Sequence, residues 1–220
     1  IQFPGSIQKG LEDVGIIDDP RVGINSLSAR WVEEHYWILR KTFSMPEKAV
    51  SQHPQLCIDI LDGVAKIALN GKIVGEHWSA HRPARIDLSC AIRAGENELV
   101  ILLESGLFKV ADLPGKEYTF TDDTLLNKRH HLRQAQYQFG WDWNPRLVYF
   151  GLHGDIAVRW GDQPILEQVL AVGKVADDLQ SARIHLKPLF AVPNDIKRNI
   201  KLNASAIGCC SEQVWSGTND

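Results

Sequence analysis

Leu69-Asn70-Gly71-Lys72 limits the folds open to this chain more than any other tetrapeptide in it. Asn-Gly between two apolar runs, residues 64–69 and 73–75, favours positive φ at both central positions. That is the geometry of a type I′ turn, whose twist matches a pair of antiparallel strands. Further strand-like runs lie at residues 36–43, 55–61, 85–88 and 98–104, and again at 146–150 and 155–160. The turn Ala94-Gly95-Glu96-Asn97 leads into one of them. Only one segment has convincing helical spacing: Ile7, Leu11 and Val14 follow Ser6, whose hydroxyl suits an N-cap. Asp18-Asp19-Pro20 is expected to end that helix. Many short strands beside one helix predict an all-β chain built as a jelly-roll β-sandwich.

The length of 220 residues and 44% hydrophobic content allow one large domain with a full core, or one domain and a smaller piece. Gly161-Asp162-Gln163-Pro164 reads as a linker, and alternation resumes at 165–172 and 182–189. An immunoglobulin-like sandwich needs roughly 100 residues. The expected organisation is therefore a jelly-roll domain over 1–160, a linker over 161–164, and an incomplete immunoglobulin-like domain over 165–220. A formal charge of −3 argues against nucleic acid or an anionic membrane as partner. No apolar run reaches the length of a membrane-spanning helix. The first residue is Ile1 rather than Met, so the compartment is unknown; if a leader has been removed, an extracytoplasmic setting is expected. Cys57 and Cys90 sit in apolar runs and are expected to be buried thiols, while adjacent Cys209 and Cys210 are poorly placed to bridge each other.

The chemistry concentrates in Arg133-Gln134-Ala135-Gln136-Tyr137-Gln138-Phe139-Gly140-Trp141-Asp142-Trp143-Asn144-Pro145-Arg146. Gly140 permits a reversal and Pro145 stops a helix, so Trp141, Asp142 and Trp143 are expected on a turn. An indole face stacks on the C–H face of a sugar ring while a neighbouring carboxylate accepts from its hydroxyls. Equally, two tryptophans can plug the end of a sandwich core while the acid caps a turn. On residues alone both readings stand. The weakly patterned stretch from Ser105 to Leu132, with Lys128, Arg129, His130 and His131, is long for a connection and leads into this run.

Several other patterns have plain structural readings. Asn97-Glu98 lies in a turn entering a strand. His77 and His81 have i,i+4 spacing, but among strands and turns that spacing does not put both on one face, so no metal is expected. His130-His131 reads as part of a solvated basic loop. Asn203-Ala204-Ser205 fits a glycosylation sequon that matters only in a eukaryotic secretory protein. No Gly-rich phosphate loop or Gly-x-Ser-x-Gly turn is present, and no cofactor is expected.

Taken in order, these motifs resemble the N-terminal region of glycoside hydrolase family 2, in its β-mannosidase branch. Phe3-Pro4-Gly5-Ser6 with Gly15-Ile16-Ile17-Asp18-Asp19-Pro20 is similar to the family's opening segment, and residues 37–43 to its first long strand. Leu61-Asp62-Gly63-Val64-Ala65 through Asn70-Gly71 resembles its hairpin, and Gly95-Glu96-Asn97-Glu98-Leu99 its later turn and strand. Gln136-Tyr137-Gln138-Phe139-Gly140-Trp141-Asp142-Trp143 with Pro145-Arg146 resembles its most diagnostic stretch. The resemblance implies a multidomain retaining exo-glycosidase with a jelly-roll domain, an immunoglobulin-like domain and a (β/α)₈ barrel. The barrel would carry both catalytic glutamates, with carboxyls roughly 5 Å apart. This chain would then hold no catalytic residue and be inactive alone. Trp141, Asp142 and Trp143 would bind the terminal β-linked sugar at the mouth of the chain's own C-terminal barrel. Gln134 and Gln138 stand where Lys and His are common, Asn144 where Gly is usual, and Leu152-His153 lacks an expected Trp. A competing reading from another class is a stand-alone carbohydrate-binding β-sandwich.

Overall fold

Asn70 and Gly71 both take positive φ, 52° and 82°, in the computed structural model, as a type I′ turn requires. The structure describes residues 2–116, 128–161, 165–191, 199–204 and 213–218. Residues 117–127 of the long connection, 162–164 of the linker, Ser205 of the sequon, and Cys209 and Cys210 lie outside them. The chain divides into two compact units, Ile1–Gly161 and Asp162–Asp220.

Among the described residues, the first unit carries β1 (Gly5–Ser6), β2 (Trp37–Met45), β3 (Gln55–Asp62), β4 (Val64–Leu69), β5 (Lys72–His77), β6 (Ala84–Asp87), β7 (Gly95–Glu104) and β8 (Gly151–Arg159). They form two four-stranded antiparallel sheets, ordered β1-β8-β3-β6 and β2-β7-β4-β5. The all-β sandwich read from the sequence is the fold observed. Alternation explains the packing. Leu99, Ile101 and Leu103 of β7 and Ile67 and Leu69 of β4 point inward, where they meet Leu56 and Ile58 of β3. In β3 the register shifts between Ile58 and Ile60, so Ile60 turns out to solvent while Leu61 returns to the core. This is the phase change a β-bulge produces.

The helix α1 spans Ile7–Asp13, with Ser6 Oγ accepting from the Lys9 N–H at 3.0 Å. It ends before Asp18-Asp19-Pro20. Gly15 takes φ 70°, its N–H donates to the Glu12 carbonyl, and the Ile16 N–H donates to the Leu11 carbonyl. That pair of bonds closes a Schellman motif, so glycine ends the helix and proline is not needed. Two single-turn helices, α2 (Asn25–Ser28) and α3 (Glu47–Val50), are too short to show a period in sequence. Cys57 is a buried thiol as expected, but Cys90 is exposed in the turn after β6.

Residues 146–150, expected as a strand, form none. Leu147, Val148 and Phe150 are all buried, yet their backbone is satisfied outside a ladder. The Leu147 N–H donates to the Gln138 carbonyl, Gln8 Nε2 donates to the Val148 carbonyl, and the Ile7 N–H donates to the Phe150 carbonyl. An apolar run can thus be extended and buried without pairing. The described residues of the second unit form two antiparallel hairpins, β9 (Ile165–Val175) with β10 (Ala182–Ala191), and β11 (Asn199–Ala204) with β12 (Gln213–Thr218).

Candidate functional site

Trp141 and Asn144 exchange both backbone hydrogen bonds: the Trp141 N–H donates to the Asn144 carbonyl at 2.9 Å, and the Asn144 N–H to the Trp141 carbonyl at 3.2 Å. Asp142 and Trp143 are the two residues at the tip of this tight turn. Gly140, at φ 105°, supplies the reversal that precedes it and ends a 3₁₀ turn over Gln136–Phe139. Asn144, which replaces the glycine the resemblance leads one to expect, uses its side chain as a tie. Its Nδ2 donates to the carbonyls of Tyr137 (3.2 Å) and Pro145 (2.9 Å).

The tryptophans do not plug the core. Trp141 is 55% exposed and Trp143 69%. A small second cluster formed by Val110, Leu132, Phe139 and Val148 does the filling instead. Its last two members bracket the turn, so the burial that holds the loop comes from residues adjacent to the tryptophans. Asp142 is exposed and, among the described residues, its carboxylate accepts no hydrogen bond, so it caps nothing. The structure thus brings the three sequence-predicted residues together on one exposed turn. Tyr137 joins them, its ring centroid 5.5 Å from that of Trp143 at an interplanar angle of 37°. The motif alone assigns Tyr137 no role; its place in the same aromatic-rich run is the signal that points to it.

Two buried polar contacts hold the base of the turn. Arg146 Nη2 donates to Glu33 Oε1 in the 3₁₀ segment Arg30–Glu34, tying the return arm to a distant part of the chain. Burial pushes the Glu33 carboxyl above its ordinary range, and the Arg146 guanidinium, the next largest influence, pulls it back only in part. Asp62, at the end of β3, accepts from Gln134 Nε2 on Oδ1 and from Gln138 Nε2 on Oδ2, each at 3.0 Å. Neither Glu33 nor Asp62 was singled out from the sequence, because each meets its partner only through the fold.

The other patterns are structural. Asn97 is fully buried; its Nδ2 donates to the carbonyls of Arg93 and Gly95, and its Oδ1 accepts from Asn70 Nδ2 at 2.8 Å, locking the Asn-Gly hairpin to the turn before β7. Glu98 pairs with Arg40 on the neighbouring strand. His77 is buried with Nε2 at 2.8 Å from the Ser79 carbonyl oxygen. Lys128 Nζ donates to the Ala111 carbonyl, His131 Nε2 lies 2.9 Å from the Pro114 carbonyl oxygen, and the His130 and His131 rings sit 4.0 Å apart. The Arg133 carbonyl accepts from the Ala80 N–H.

Residues 1–154 match the family model described as the glycosyl hydrolase 2 galactose-binding domain-like domain. The chain belongs to this family. Among curated relatives of this glycosyl hydrolase 2 domain, "Beta-mannosidase B" of Emericella nidulans is 32% identical over 187 residues, covering 82% of this chain and 22% of that protein. "Beta-mannosidase B" of Thermothelomyces thermophilus is 32% identical over 154 residues, covering 68% of this chain and 18% of that protein. The chain thus spans about a fifth of the length of these relatives. Of solved structures, the β-D-mannosidase from Dictyoglomus thermophilum superposes with a TM-score of 0.78 at 27% identity, over 99% of this chain and 27% of that one. An exo-chitosanase from Amycolatopsis orientalis shares the fold, with a TM-score of 0.62 at 17% identity over 99% of this chain and 23% of that one.

Proposed function

We propose that this glycosyl hydrolase 2 domain is the non-catalytic N-terminal region of a longer retaining exo-glycosidase of β-mannosidase type, which removes terminal β-linked sugars from oligosaccharides. In that enzyme residues 1–160 are the jelly-roll domain, 161–164 the linker and 165–220 the opening of an immunoglobulin-like domain. The catalytic carboxylates belong to a barrel outside these residues, and the 220-residue chain alone hydrolyses no glycoside. The turn bearing Trp141, Asp142 and Trp143 completes the subsite for the terminal sugar. The relatives named β-mannosidase support the reaction class. One observation carries the role of the turn: a carboxylate with no donor among the described residues stands between two exposed indoles on a backbone held from below.

That arrangement suits a sugar. A pyranose ring laid against an indole buries its C–H face, and hydroxyls directed to Asp142 donate charge-assisted hydrogen bonds. Bonds that strengthen as the ring distorts toward an oxocarbenium-like transition state raise kcat, whereas bonds equally strong in the ground state lower only KM. In the full-length enzyme, Asp142→Ala is expected to lower kcat/KM for an aryl β-mannoside about ten- to a hundredfold, with little change in Tm. A folded variant with normal kcat/KM would remove the turn from the active site.

A further inference from the structure

Asp62 ends β3 where the chain passes through Gly63, at φ 112°, into β4. Its two carboxylate oxygens take one donor each, Gln134 Nε2 and Gln138 Nε2, from 72 and 76 residues further along the chain. Both glutamines are buried, at 3% and 6% exposure, and among the described residues the Oε1 atom of each has no partner. Among those residues, then, Asp62 is the group that orients both amides. The two glutamines also hold the arm leading to the turn: Gln134 precedes the 3₁₀ segment Gln136–Phe139 and Gln138 lies within it. The Gln138 carbonyl then accepts from the Leu147 N–H at 2.9 Å, on the arm leaving the turn. One carboxylate on a sheet strand thus fixes the arm that enters the Trp141–Asn144 turn, and through Gln138 the arm that leaves it. Tyr137, which neighbours Gln138, carries the constraint to Trp143 through their ring contact.

Burying a carboxylate carries a desolvation cost that its two amide bonds must first offset, so stability alone is a weak reason for this arrangement. What it supplies is direction: charge-assisted bonds prescribe where both amides lie. We infer that Asp62 is a positioning residue for Asp142, holding the turn in the geometry that its sugar contact requires. The inference rests on the subsite reading given above for Trp141, Asp142 and Trp143.

A double-mutant cycle in the full-length enzyme, with a chromogenic aryl β-mannoside as probe, tests it. Asp62→Ala is expected to lower kcat/KM about tenfold, with the same division between kcat and KM as Asp142→Ala. The double variant is expected to lie within about twofold of Asp142→Ala alone, because a misplaced carboxylate that has already been deleted loses nothing more. A residue that serves stability alone would lower Tm and leave kcat/KM of the folded protein unchanged. That outcome overturns the inference, and so does a loss that multiplies with that of Asp142→Ala. Asp142→Ala with full activity instead overturns the subsite reading, and the inference with it. Should Asp62→Ala not fold, Gln138→Met removes one donor and keeps the Gln134 contact. It is then expected to show a smaller loss, about threefold, equally non-additive with Asp142→Ala, and full activity or a multiplying loss in that variant overturns the inference.

Discussion

Gly151 sits where β1 and β8 approach so closely that no side chain fits between them. A Cβ there would lie 2.2 Å from the Gly5 carbonyl oxygen and 2.7 Å from the Ser6 Cα, both backbone atoms that cannot swing aside. Gly151→Ala is therefore expected to destabilise the first unit by about 1–3 kcal/mol, the usual cost of overpacking, read as a lower urea midpoint at unchanged slope. An unchanged midpoint would mean that the Gly5–Ser6 strand can lift away without penalty. Position 151 looks ordinary in sequence because the reason for its glycine lies about 145 residues upstream. The same limit governs the site. The exposed turn was legible from Trp141-Asp142-Trp143 and its flanking Gly140 and Pro145, since turn chemistry is local. Whether the tryptophans were core or surface was not legible: it depends on Val110 and Leu132 reaching Phe139 and Val148 first. The supports Asp62 and Glu33 were invisible for a related reason, their partners being 72 to 113 residues away.

At the scale of elements, Glu104, the last residue of β7, organises the turn after its own strand. Its buried carboxylate accepts the N–H groups of Gly106 and Phe108 on Oε2 and of Lys109 on Oε1, each at 3.0 Å, so the chain leaving the strand wraps around the strand's last side chain. Burial raises this carboxyl above its ordinary value of 4.5, and the three backbone donors oppose that rise without cancelling it. The folded state consequently holds the proton more tightly than the unfolded state. The stability it contributes is fully present below 4.5 and is lost as pH climbs through the raised folded value. Comparing the wild-type chain with Glu104→Gln cancels the similar behaviour of Glu33, which both proteins share. The stability advantage of wild type over the variant is expected to shrink as pH rises from 4.5 upward, then level off; a pH-independent difference in thermal melts would contradict this. Elements with a strong period, such as β4 and β7, were legible because alternation between sheet faces is written in adjacent residues. Residues 146–150 misled for the opposite reason: they are apolar and extended, yet their hydrogen bonds go to Gln8, α1 and the 3₁₀ turn.

For the whole molecule, the two compact units differ in how well they bury their own apolar side chains. The first encloses a core between two sheets that includes Ile58, Leu61, Ile67 and Leu103, all fully buried. In the second, the β9–β10 register places Val169 opposite Pro188, Ala171 opposite Leu186 and Gly173 opposite Ile184. Directly opposed residues share a face, so Val169, Leu186 and Ile184 form one apolar surface, exposed at 40%, 36% and 57%. Leu170 and Val172 on the other face are exposed too, at 52% each. A hairpin that exposes apolar side chains on both faces among the described residues gains little from its own burial, and isolated hairpins are marginal in water. Local opening of such a unit costs far less than global unfolding of the sandwich, and proteases cleave in proportion to the open population. Limited proteolysis of the 220-residue chain is therefore expected to leave a resistant fragment ending near Gly161, with β9 to β12 degraded, as mass spectrometry would show. The first unit should keep its cooperative thermal transition after that cleavage. A monomer that resists protease intact through β12 would show that the hairpins find cover within the chain itself.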